Sequence, residues 1–283
     1  LRPHLETRAH LRGALGEEKG APRIEGVHTV KHLRGDRQER TARRGAGVVD
    51  QDVDLAKGCH RGLHQLVGES RVGHTAGNRK RYPTGGNEPI VTPDGKVSEL
   101  LAGTPAIKTP IRLFGMHDVI LDKDFAKNRT IYLAYVTTPE GGANSGYIAS
   151  AQLAADEKTV TGLKVLKEGP GMVPRRIVQS KDGTLMVITA DITTPYVSAQ
   201  SLKSTQGKVL RINTDGSIPK DNPFISNKDA DPSVYALGVR DPQGMALSPA
   251  GDLYIIENEP RGGDELNLIK AGKNYGFPLI SYG

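Results

Sequence analysis

Charge, carboxylate and glycine meet twice near the end of this 283-residue sequence, each time in a short loop between apolar runs. The first loop is Arg240-Asp241-Pro242-Gln243-Gly244. The second runs Asn258-Glu259-Pro260-Arg261-Gly262-Gly263-Asp264-Glu265. Loops at strand ends are where a rigid scaffold presents functional groups, and an arginine fork is planar, permanently charged and suited to anionic oxygens. The plainer readings are an ion pair between Arg240 and Asp241, and solvated loop charge for Asp264 and Glu265. Upstream, Arg175 and Arg176 stand side by side, and His117 is the one histidine after residue 82. A neutral histidine is the ordinary side chain for moving a proton near pH 7; its plainer role is a hydrogen bond in a seam between sheets.

The elements that must hold these groups read as strands. Val234 to Val239 is β-branched and aromatic, Met245 to Leu247 leads into a Ser248-Pro249-Ala250-Gly251 turn, and Leu253 to Ile256 returns. Similar units appear upstream: Gly115 to Leu121, a helical turn over Asp122 to Asn128, then Thr130 to Val136; Tyr147 to Leu153 with Leu163 to Leu166; and Arg176 to Val178, a turn at Asp182-Gly183, then Leu185 to Thr189. Second strands start near Ile131, Leu185 and Leu253, without amphipathic helices between them. That recurrence suggests propeller blades with long loops, a β-sandwich being the alternative on periodicity alone. Strand alternation puts His117 with Val119 on one face and Asp118 with Ile120 on the other.

The ordered string Arg-Asp-Pro-Gln-Gly (240–244), Glu-Pro-Arg-Gly-Gly-Asp-Glu-Leu-Asn-Leu-Ile (259–269) and Asn-Tyr-Gly-Phe-Pro (274–278) resembles the soluble PQQ-dependent sugar dehydrogenases, the glucose/sorbosone dehydrogenase family. Segments 118–136 and 207–224 resemble it as well, so the likeness covers roughly 83–283 and not the beginning. It implies an all-β, six-bladed β-propeller, here with roughly four blades, carrying PQQ and Ca²⁺ over its central channel. The implied reaction oxidises a sugar hydroxyl or aldehyde by hydride transfer to PQQ, with an external electron acceptor, in the periplasm or outside the cell. An unclosed propeller leaves exposed strand edges, so the 283 residues alone are expected to be poorly stable.

By this resemblance Arg240 approaches the quinone oxygens, with Asp241 where many members have Asn and Gln243 beside it. A carboxylate there opposes developing negative charge unless a cation offsets it. Glu259 and Pro260 fall in the calcium loop, Glu259 standing where glycine is usual. The family's catalytic histidine, in a Gly-His-x-Gly-x-Arg pattern, matches Met172 of Gly171-Met172-Val173-Pro174-Arg175-Arg176. Methionine cannot abstract a proton, which leaves His117 as a relocated base and Arg175 and Arg176 as contacts for a carboxylated cofactor or as cover for a sheet edge. The departures also support a second reading, a propeller that binds without oxidising.

Composition divides the chain near Tyr82. Through that residue there are 17 Lys and Arg against 10 Asp and Glu, seven of the eight histidines, and no Phe or Tyr before Tyr82 itself. Without aromatics for base stacking or a sustained period, this basic stretch does not read as a nucleic-acid module. It reads as a disordered extension or as wrong-frame translation joined to the domain at 83–283. Cys59 is the lone cysteine, and Cys59-His60-x-x-x-His64 lacks a partner cluster for a metal. No apolar run is long enough to span a membrane, and no leader pattern opens the sequence.

Overall fold

The structure, a computed structural model, describes residues 89–280 apart from 94, 109–114, 141, 193–194 and 261. The basic segment 1–82, with Cys59, His60 and His64, lies outside the described residues. The described part is all-β. A hairpin, β1 (Pro89–Val91) and β2 (Val97–Leu100), precedes sheet I, which runs β3 (Met116–Leu121), β4 (Thr130–Thr137), β5 (Ser145–Leu153) and β6 (Val160–Pro170). Sheet II is β7 (Val173–Gln179), β8 (Leu185–Ala190), β9 (Lys208–Ile212) and β10 (Val234–Leu237), and sheet III is β11 (Pro242–Leu247), β12 (Leu253–Glu257) and β13 (Glu265–Ile269). Each is an antiparallel meander in sequence order. Among the described residues, helix is confined to α1 (Phe125–Asn128) and a 3-10 turn at Ser198–Gln200.

Alternation explains the packing. Ile177, Val187 and Leu210 of sheet II meet Tyr132 and Ile148 of sheet I, while Met186, Ile188 and Val209 on the opposite face meet Leu253, Ile255 and Ile269 of sheet III. Burying a Leu or Ile side chain in such a layer contributes about 1.5–3 kcal/mol. The first strands of the three sheets, β3, β7 and β11, lie beside one another. In each sheet the start of the first strand and the end of the second share one end, since Met116 pairs with Tyr135, Val173 with Ala190, and Pro242 with Glu257.

Two sequence expectations change. The face assignment of His117 fails because β3 carries a bulge there: Met116 pairs with Tyr135 and the next pair is already Asp118 with Ala134. The extra residue breaks the period of two. Met116 and Val119 therefore pack together against the core of sheet I, whereas the imidazole of His117 and the carboxylate of Asp118 both turn toward β7. The loop at 240–244 is also shorter than expected. Pro242 opens β11, the strand position where its missing N–H costs least, and Gly244 already pairs with Ile256.

Candidate functional site

At the shared strand ends a bonded path crosses all three sheets. His117 Nδ1 contacts the carbonyl of Pro174, and Arg176 Nη1 donates to the carbonyls of His117 (3.1 Å) and Arg175 (2.7 Å). The backbone N–H of Ile177 donates to Asp118 Oδ2 at 2.8 Å, so the bulge of β3 is pinned to β7 by two adjacent residues. Since a carbonyl only accepts, that contact places the ring proton of a neutral His117 on Nδ1 and leaves Nε2 as the basic nitrogen.

Arg175 then reaches sheet III. Its Nη2 and Nε donate to Asp241 Oδ1 at 2.8 and 3.1 Å, with both side chains mostly buried. This corrects the simple ion-pair reading of the 240–241 dipeptide: Asp241 pairs with Arg175, and Arg240 does not take it. The Arg240 Nη1 instead donates to the carbonyl (2.7 Å) and Oδ1 (3.2 Å) of Asn258. Its backbone is held on both sides, the N–H by Glu257 Oε2 at 2.8 Å and the carbonyl by the N–H of Asp191 at 2.7 Å. Gln243 is exposed, its amide 3.4 Å from the carbonyl of Asp241.

Glu257 lies on the inward row of β12 after Leu253 and Ile255 and is 4% exposed. Burial, reinforced by Glu265 and Glu259, pushes its carboxyl up to about 8, against the hydrogen bonds from the Arg240 N–H and from Asn267 Nδ2 (2.7 Å). Glu259 is also buried, and burial with Glu265 and Asp264 nearby raises it to about 7 while Arg240 opposes. Its backbone N–H donates to Asp264 Oδ1. Two buried polar atoms here have no hydrogen-bond partner, Arg240 Nε and Glu259 Oε2. Buried polar atoms in native proteins are normally satisfied, so these two are exceptions to that rule.

Comparison with known sequences gives the site its context: a sequence profile of the Glucose / Sorbosone dehydrogenase family matches residues 84–283. The chain belongs to that family. It is 36% identical over 176 residues to aldose sugar dehydrogenase YliI of Escherichia coli (strain K12), covering 60% of this chain and 47% of the relative. Among family structures, the apo-form of the soluble aldose sugar dehydrogenase from Escherichia coli superposes with a TM-score of 0.64 at 32% identity, over 70% of this chain and 58% of that one. The PQQ-bound form of aldose sugar dehydrogenase from Streptomyces coelicolor superposes with a TM-score of 0.59 at 25% identity, over 69% and 57%. The chain spans about half the length of the curated family relatives it matches.

Within this family frame, Met172 is fully buried among the side chains shared by sheets I and II. Glycine packing fixes that position, since a Cβ at Gly146 would come within 2.2 Å of the Met172 carbonyl. The structure brings together His117, Arg175, Arg176, Arg240, Asp241 and the Asn258–Pro260 segment, and leaves Gln243 at the exposed margin. Glu257, Asn267 and Asp191 were missed from the sequence. Glu257 had a signal, a carboxylate in phase with Leu253 and Ile255 on an otherwise apolar row. Asp191 had none, because its contact with Arg240 links two different sheets. Among the described residues no group of three or more His, Cys, Asp or Glu side chains is arranged to hold a metal.

Proposed function

We propose that this chain forms part of a PQQ-dependent aldose or sorbosone dehydrogenase, built as a six-bladed β-propeller of which sheets I to III are successive blades. The observation that carries the reading is the pair of orphaned atoms, Arg240 Nε and Glu259 Oε2, where the family resemblance expects the cofactor and its calcium ion. A quinone with three carboxylates fits the cationic side, Arg240 with Arg175 and Arg176 behind it. Ca²⁺ fits the other, against the Glu259 carboxylate and the Pro260 carbonyl, hard oxygen donors of the kind it takes. Bound PQQ would supply the two-electron acceptor for hydride.

The chain's own residues would do the rest. Arg240, fixed at its N–H, carbonyl and guanidinium, presents permanent charge without reorganisation, the most effective way to stabilise developing negative charge. Arg175 neutralises Asp241, which removes the like-charge penalty that the sequence posed at that position. His117 Nε2 would take the proton of the sugar hydroxyl as general base, oriented by the Pro174 carbonyl. A sugar and an external electron acceptor are the partners, and the periplasm or the exterior of the cell is the compartment. No helix among the described residues is long and apolar enough to cross a membrane.

Titration of the chain with PQQ and Ca²⁺, followed by dye reduction with a panel of aldoses, tests this reading; a new absorbance band with sugar-dependent turnover is expected, and absence of cofactor binding overturns it. The burial of Met172 favours a second reading, cofactor binding without oxidation. Saturable PQQ binding with no turnover selects it.

A further inference from the structure

Sheet II is covered on both faces, by sheet I and by sheet III, while the outer row of sheet III, with Tyr254, Ile256, Leu266 and Leu268, is bare to solvent. The covered layer nevertheless holds a lysine. Lys208, the first residue of β9, is fully buried and stands in phase with Leu210 and Ile212, paired with Thr189 of β8 and Leu237 of β10. An ammonium in such a place is tolerated only when its donors are satisfied. It has three of them, and three backbone carbonyls of the connection between β8 and β9 receive them: Ser198 at 2.6 Å, Gln206 at 2.7 Å and Ala199 at 3.0 Å. Ser198 and Ala199 belong to the 3-10 turn, Gln206 to the return toward β9. One nitrogen thus ties both arms of the connection, as a bound metal cation does when it gathers carbonyl oxygens.

The connection leaves from the strand ends that carry the candidate site, because β8 finishes there at Ala190. Ala199 passes the constraint on by two routes. Its carbonyl also accepts the N–H of Gly238 at 3.1 Å, two residues before Arg240. Its own N–H donates to Asp191 Oδ2 at 2.8 Å, and the backbone N–H of Asp191 donates to the Arg240 carbonyl at 2.7 Å. So close an approach needs glycine: at Gly207, with φ +67°, a Cβ would come within 2.6 Å of the Ala199 side chain and 2.7 Å of the Val239 carbonyl. Arg240 is therefore gripped from sheet III by Glu257 and Asn258, and from sheet II through the turn that Lys208 holds.

We infer that Lys208 is a positioning residue for Arg240, its ammonium acting as a resident cation that sets the 3-10 turn against residues 238–240. It acts through Ala199 and Asp191. Packing does not call for a lysine at this place, since an apolar side chain suits the row of Leu210 and Ile212; the carbonyls it collects account for the charge. That Arg240 serves a bound quinone rests on the proposed function. That Lys208 fixes the Arg240 backbone does not.

The test is amide hydrogen exchange on the full 283-residue chain, read at Gly238, Val239 and Arg240 with Ile131 to Val136 of β4 as the internal reference. Lys208→Met, which keeps the apolar stem and removes the ammonium, should speed exchange at the three positions about tenfold and leave β4 within about twofold. Lys208→Gln is read in the same way should the methionine variant not fold. Lys208→Ala should lose the same protection and regain it in propylammonium chloride, but not in tetramethylammonium chloride of equal ionic strength, which has no N–H to donate. PQQ binding by equilibrium dialysis should weaken about tenfold in Lys208→Met, the scale for outer partners that orient a binding group. Unchanged exchange at 238–240 overturns the inference, as does a recovery that fails to distinguish the two cations. So does β4 opening in step with these positions, failure of both variants to fold included, since the lysine would then support the whole fold rather than Arg240. A wild type that binds no PQQ overturns the proposed function and leaves the exchange result to decide this one.

Discussion

Asp122 in sheet I and Glu257 in sheet III are both buried carboxylates at the end of a strand, and they are treated in opposite ways. Burial works against the charged form of Asp122, but the Tyr132 hydroxyl (2.7 Å), Asn128, the Asp124 N–H and Gln179 all donate to it and hold it below its ordinary range. Asp231, between Lys167 and Ser233, is likewise held down despite burial. Glu257 and Glu259 are pushed up by burial and by one another's neighbours. Donors from within the fold complete the first pair of sites. In the second pair Glu257 accepts from the Arg240 N–H and Asn267 but is packed beside other carboxylates, and Glu259 keeps one buried oxygen without a hydrogen-bond partner.

The largest effect expected from this contrast is on the pH dependence of stability. Unfolded Glu257 releases its proton near 4.5, whereas the folded carboxyl keeps it to about 8. The folded state therefore binds more protons between those values, and the stability present below pH 4.5 is lost as pH rises to 8. Glu257→Gln should remove this fall, on the order of a few kcal/mol, as read from urea midpoints at pH 5 and pH 8. Equal slopes in variant and wild type would break the comparison.

Asp122 should behave in the reverse sense. Its depressed carboxyl contributes stability above the unfolded value that is lost as pH falls through the folded one. Asp122→Ala, which removes the acceptor of the Tyr132 hydroxyl, the Asn128 and Gln179 amides and the Asp124 N–H, should cost about 2–4 kcal/mol at pH 7 by chemical denaturation, and Tyr132→Phe about 1 kcal/mol. At the site, Asp241→Asn should release the Arg175 guanidinium and tighten PQQ binding by roughly fivefold, worth about 1 kcal/mol, measured by equilibrium dialysis. Smallest of all, Ile256→Ala on the bare face should change the stability of the chain by less than about 0.5 kcal/mol, whereas Ile188→Ala on the covered face of sheet II should lose about 2–4.

Strand positions were legible because a period of two with β-branched residues, cut by turns such as Asp182-Gly183 and Ser248-Pro249-Ala250-Gly251, is a local property. The recurrence of strand pairs gave the sheets, and the ordered string from Arg240 to Pro278 gave the family. The bulge at His117 was not legible, since it depends on how β3 registers against β4 and carries no glycine or proline of its own. The partner of Asp241 was not legible either: the adjacent arginine is nearer along the chain, yet Arg175 is nearer in space once β7 lies beside β11.

By itself, then, the sequence determined the strand-forming segments, the break in composition near Tyr82 and the grouping of charge at two loops. Tertiary structure alone decided which charges meet, which carboxylates stay protonated and which apolar row is left bare. Hydrophobic alternation is written residue by residue, but electrostatic environment is set by groups far apart in sequence, and it exists only after the sheets have stacked.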